Sequence, residues 1–177
     1  MRREWRSRLR SGGEKETRLS PLGMAGALVL IASAPGLALA QVAVQCPGDT
    51  NGDAIIDHPD PAHPKAACAH LVGGDGFARM ADGSVRYVFG YSDVTGVPTS
   101  DVISVGTLKA NMPAPSLAFK EGDEVYLTLT NVGMAMRPDL FDGHSVHWHG
   151  FPNAASTFDG EPEASFGIGM GASLTYY

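Results

Sequence analysis

The amino-acid sequence predicts an all-β protein, a sandwich or barrel of short strands. Two observations carry this. Apolar residues alternate with period two in several short runs, and no stretch beyond the N-terminal forty residues keeps a helical period. Gly 22 and Pro 12 together make about a fifth of the 177 residues, a composition of turns rather than long helices. This length allows one domain with appendages.

Taken in order, residues 1–40 read as a secretory signal peptide. Arg2, Arg3, Arg6, Arg8 and Arg10 precede an apolar run from Leu22 to Leu39, and Ala38-Leu39-Ala40 has the small-residue pattern of a cleavage site. Gly23, Gly26, Pro35 and Gly36 break the run too often for a membrane-spanning helix, so no span is expected after cleavage. An exported protein, periplasmic or extracellular, is expected. Taking the 7 basic and 3 acidic residues of positions 1–40 from totals of 13 and 19 leaves 6 and 16, a net charge of −10. Such an acidic chain is a poor nucleic-acid binder. In an exported protein, Cys46 and Cys68 suggest one disulfide.

Residues 41–83 read as a loop-rich N-terminal extension with one short helix around Ala66–Leu71. Within it, Asp49, Asn51, Asp53, Asp57 and Asp60 have the order of a calcium loop. Ala54 stands where such loops carry glycine, and Pro59 and Pro61 disfavour a following helix, which favours a turn-rich solvated loop. Strands are expected from residue 84 onward. Val85, Tyr87 and Phe89 alternate with Arg86, Val88 and Gly90, and Val102–Val105 is a short β-rich run. After the turn Glu121-Gly122-Asp123, Val125, Leu127 and Leu129 alternate with Tyr126, Thr128 and Thr130, closed by Asn131. A further strand is expected from His144 to Phe151, then a turn at Phe158-Asp159-Gly160 and a last strand at Ser173–Tyr177. Five or six strands fall short of the seven or so of a Greek-key sandwich, so the domain over 84–177 is expected to be incomplete at its C-terminal side.

His147-Trp148-His149-Gly150 carries the most chemistry. On a strand, residues i and i+2 share a face, so both imidazoles project together and Trp148 turns to the core. Paired neutral imidazoles suit copper or zinc. His144 lies three residues before His147 and on a strand faces the other way. Two histidines are fewer than the three or four ligands a protein metal site usually needs.

Four motifs in order give a family resemblance: Pro113 to Asn131, His147 to Phe151, Asp159-Gly160-x-Pro162, and Ile168-x-x-Gly171-x-Ser173-x-x-Tyr176. Together they resemble the first cupredoxin domain of multicopper oxidases, the laccase and ferroxidase superfamily. The resemblance implies a cupredoxin-like sandwich and an enzyme that draws single electrons from a phenol or low-valent metal ion and reduces O2 to water. It implies copper: a mononuclear type 1 ion and a trinuclear type 2/type 3 cluster held by four His-x-His pairs. His147 is then a type 2 copper ligand, His149 a type 3 ligand, and Asp159 an acid behind the ligands that assists proton delivery. Ala164-Ser165-Phe166-Gly167 departs from the Thr-Gln pair common there. The remaining cluster ligands and the type 1 thiolate are expected from other cupredoxin domains of the parent chain, so this chain alone is expected to be inactive. A non-enzymatic copper-binding or copper-resistance protein with a degenerate cupredoxin domain is the alternative.

Overall fold

A computed structural model describes residues 42–150, 155–161 and 163–177. The signal-peptide expectation, Phe151 and Pro162 lie outside the described residues. Residues 39–177 cluster as one unit. Its centre is a four-stranded mixed sheet of β1 (Ala66–Arg79), β2 (Val85–Asp93), β3 (Glu124–Gly133) and β4 (Ser173–Tyr176), in the order β2-β1-β3-β4. The described part is β-rich with almost no helix, in keeping with the predicted cupredoxin-like all-β class.

β3 is the strand most clearly written in the sequence. Leu127 and Leu129 are buried on one face with Ala69, Leu71, Ile168 and Tyr176. The threonines of the opposite face are equally buried, and they pair rather than strand their hydroxyls. Thr128 Oγ1 lies 2.8 Å from Thr175 Oγ1, and Thr130 Oγ1 lies 2.7 Å from Ser173 Oγ and 2.8 Å from His70 Nε2. A buried hydroxyl without such a partner would be destabilising.

Three expectations are corrected. The short helix around Ala66–Leu71 is the first half of β1, which pairs antiparallel with β2 and parallel with β3 from Ala66↔Glu124 onward. Residues 66–79 therefore build the sheet centre rather than a loop-rich extension. Their small residues hide the strand signal yet suit a central strand, because other chain segments lie directly on them. The backbone of Ala110 sits where a Gly76 β-carbon would be. Val102–Val105 is not a strand but the start of a short helix, α1 (Val102–Gly106). It buries Val102 against Val72 and Val94, and Gly106 beside Val72, while Ile103 and Val105 face solvent. No regular strand runs from His144; the segment makes one isolated bridge, His144↔Ile168.

Cys46 and Cys68 form a disulfide, with Cα atoms 5.9 Å apart. It ties the loop of residues 42–64 to the third residue of β1. Breaking this 22-residue closure is expected to cost about 3 kcal/mol. Urea unfolding with and without reductant measures it; an unchanged midpoint would show that the crosslink does not hold the folded state.

His70 is fully buried on β1, and burial pulls its imidazole down to about 4, an effect that nearby Asp93 partly offsets. The folded state thus binds fewer protons there than the unfolded chain, whose histidine titrates near 6.5. This contribution is complete above about pH 6.5 and is lost as pH falls toward 4, by up to about 3 kcal/mol. Melting temperatures across that window should fall more steeply for the native chain than for His70→Asn, and equal slopes would refute the assignment.

Candidate metal centre

The histidine segment is held by side chains instead of a strand ladder. Tyr91 donates its hydroxyl to the Ser145 carbonyl at 2.7 Å, and the Val146 N–H donates to the Tyr176 hydroxyl at 3.1 Å. Burial raises both phenols above their ordinary value, so both stay protonated. Behind them, Asn131 at the end of β3 donates through Nδ2 to the carbonyls of Asp142 and Ile168, each at 2.8 Å. Trp148 packs against the core cluster, its ring 6.1 Å from that of Tyr176, as the sequence predicts.

With Trp148 turned inward, the rings of His147 and His149 come together, their centroids 4.7 Å apart and nearly edge to face. Both residues are exposed. His144 is elsewhere. Its ring occupies the space that a Gly73 β-carbon would fill, and it stands edge-on to Tyr91. The register shift between Gly73 and Gly74 in the β1–β3 pairing lies at this contact.

Asp159 organises the pair from the turn after the short 3-10 helix Ser156–Phe158. Its carbonyl lies 2.7 Å from His147 Nδ1, and its carboxylate Oδ1 accepts the Trp148 N–H at 3.1 Å. A carbonyl can only accept, so Nδ1 carries the hydrogen and Nε2 keeps the lone pair that a metal ion requires. The Asp159 carbonyl bond, with Glu161 and the Asp159 carboxylate adding negative charge, raises the His147 pKa above the usual imidazole value. Gly160 permits the approach: its φ is +70°, and a β-carbon there would run into the Val146 carbonyl.

The sequence reading passed over Glu161, whose Oε1 lies 3.3 Å from His147 Nε2. The available signal was its place on the turn that carries Asp159. The loop holding both acids closes on itself, with Ser165 Oγ donating to the Thr157 carbonyl at 2.9 Å and the Ser165 N–H to the Glu161 carbonyl at 3.0 Å. Ser165, part of the departure from the family pattern, is thus a structural closure.

The Asp49–Asp60 loop uses its side-chain oxygens on its own backbone. Asp49 accepts the N–H groups of Asn51, Gly52 and Ala54, and Asp57 accepts from Thr50. Among the described residues no three His, Cys, Asp or Glu side chains form a group suited to a metal ion. The His147–His149 pair nevertheless fits copper in donor chemistry, with two imidazoles side by side and the Nε2 of one oriented outward by a carbonyl on the other nitrogen.

The sheet and its near absence of helix define a cupredoxin-like β protein, and the paired histidines lie in a loop at its edge. Residues 92–177 match the family model described as multicopper oxidase, in keeping with the resemblance the sequence motifs carry. Comparisons with curated proteins and with solved structures find no match.

The tautomer is testable. Nitrogen-15 NMR of metal-free chain, at a pH where His147 is neutral, should show Nδ1 protonated, and so should Asp159→Ala, because the backbone carbonyl sets it. A dominant Nε2–H form in either protein would rule out the carbonyl as the orienting group.

Proposed function

We propose that His147 and His149 are the first His-x-His pair of a trinuclear copper cluster in an exported multicopper oxidase, with His147 on the type 2 ion and His149 on a type 3 ion. The observation that carries this reading is the paired imidazoles with His147 Nδ1 committed to the Asp159 carbonyl, inside the segment that matches the family. Bound copper supplies one-electron chemistry, which in this family couples oxidation of a phenol or low-valent metal ion to reduction of O2 to water. The chain's own part is to hold and orient. Trp148 anchors the segment in the core, Asp159 fixes the His147 tautomer, and the partly exposed Asp159 carboxylate stands 3.5 Å from Nδ1, placed to pass protons between solvent and the site. Export is supported by the disulfide, which persists in oxidising compartments.

The remaining ligands belong to other cupredoxin domains of the parent protein. This sequence holds two of the eight cluster histidines, and both of its cysteines are in the disulfide, so neither serves as a type 1 thiolate. The same observation favours a second reading, a copper-binding protein without oxidase activity.

The purified 177-residue chain is expected to bind copper and to consume no O2 when offered a phenol or ferrous iron. His147→Gln with His149→Gln should abolish the specific copper stoichiometry measured after gel filtration. Unchanged stoichiometry in that double variant would refute the ligand assignment, and O2 consumption by the native chain would refute the need for further domains.

A further inference from the structure

The Nε2 of His147 faces a carboxylate. Its lone pair is directed outward because Nδ1 holds the hydrogen, and Glu161 Oε1 stands 3.3 Å away. A pyridine-like nitrogen and a carboxylate oxygen are both acceptors, so the contact is satisfied by a positive species between them: a proton on Nε2, which makes it an ion pair in the metal-free chain, or a metal ion in the proton's place. A metal ion meets that need, since two donors bound at ~2 Å each can lie up to ~4 Å apart. The position of Glu161 is no accident of a free loop end, because Ser165 and Phe166 close the loop onto Thr157 and Ser165 grips the Glu161 carbonyl. Its side chain is 56% exposed and lies beside the exposed histidine pair, so it can engage an ion there without unfolding anything.

We propose that Glu161 is a carboxylate partner of the copper ion bound at His147 Nε2, adding an oxygen donor and a negative charge that the histidines lack. This rests on His147 being a ligand. A carboxylate is a hard donor and favours the divalent ion, whereas cuprous copper prefers soft ligands. Glu161 therefore strengthens binding of copper(II) more than of copper(I).

The test uses the 177-residue chain and copper(II), followed by calorimetry and by electron paramagnetic resonance, for the native chain, Glu161→Gln, Glu161→Asp and His147→Gln. Circular dichroism identifies folded variants. Glu161→Gln is expected to weaken copper(II) binding roughly tenfold and to change the copper hyperfine pattern. Glu161→Asp should recover part of both, and copper(I) affinity, read by competition with a chromogenic chelator, should move less. If Glu161→Gln matches the native chain in affinity and spectrum while His147→Gln loses the site, the Glu161 assignment is wrong and the His147 assignment stands. If His147→Gln changes nothing, both fall.

Discussion

The parallel pairing of β1 with β3 is the constraint on which the rest of the molecule depends. Parallel neighbours cannot be joined by a tight turn, so everything between Arg79 and Glu124 must travel out and back. That excursion supplies β2, which returns antiparallel on the far side of β1, and α1, whose Val102 closes a small core against Val72. The pairing also makes both central strands buried on two faces. The chain answers with apolar packing on one side of β3 and hydroxyl pairs on the other, so the His70, Thr128, Thr130, Ser173 and Thr175 network is a consequence of topology. Near the entrance to β1, the disulfide ties the preceding loop to the third pair of this ladder, where Cys68 lies opposite Tyr126.

The same pairing places the histidine loop. Where the register shifts at Gly73 and Gly74, β1 has no side chain to block the His144 ring. Where β3 ends, Asn131 reaches across to two carbonyls of the neighbouring segments. The loop is thereby fixed at its base, at Tyr91 and Tyr176, and at Trp148. A ladder strand would hold it through its backbone and spend those hydrogen bonds on a neighbour. Side-chain anchoring instead leaves the backbone around His147 and Trp148 open to Asp159, which uses its carbonyl on one residue and its carboxylate on the next.

What was legible in the sequence follows from this. β3 and β4 carry period-two alternation with β-branched residues, and they are strands. The parity argument for His147 and His149 also succeeds, though for a different reason: the rings meet because Trp148 is anchored between them, with no strand to impose the alternation. β1 was not legible, since Ala, Gly and Asp are poor strand formers in isolation. Its strand state comes from partners on both sides, and a partner as distant in sequence as Glu124 is from Ala66 leaves no local mark. Val102–Val105 misleads in the opposite way, as β-branched residues that become helical because only one of them has a core to reach. In β2 the period was right but says nothing of the face. Val88 is the buried residue, while Val85, Tyr87 and Phe89 remain substantially exposed. Glu161 was invisible for a similar reason: nothing in its own neighbourhood says that the turn folds back over His147.

Asp159 and Glu161 divide the work around one imidazole according to which atom each presents. The backbone carbonyl of Asp159 acts on Nδ1, and a carbonyl is indifferent to pH, so the orientation of the ring does not depend on a titrating group. The acidic side chains are left for tasks in which charge matters: Asp159 beside the Trp148 N–H and partly open to solvent, Glu161 facing Nε2. Gly160 between them is what makes the division possible. Its left-handed backbone reverses the chain in one residue, so that two acids two positions apart approach opposite edges of the same ring. A residue with a β-carbon there would collide with the Val146 carbonyl and push the turn away from His147, removing both contacts together. The donor geometry of the site is therefore a property of the turn as much as of the histidines.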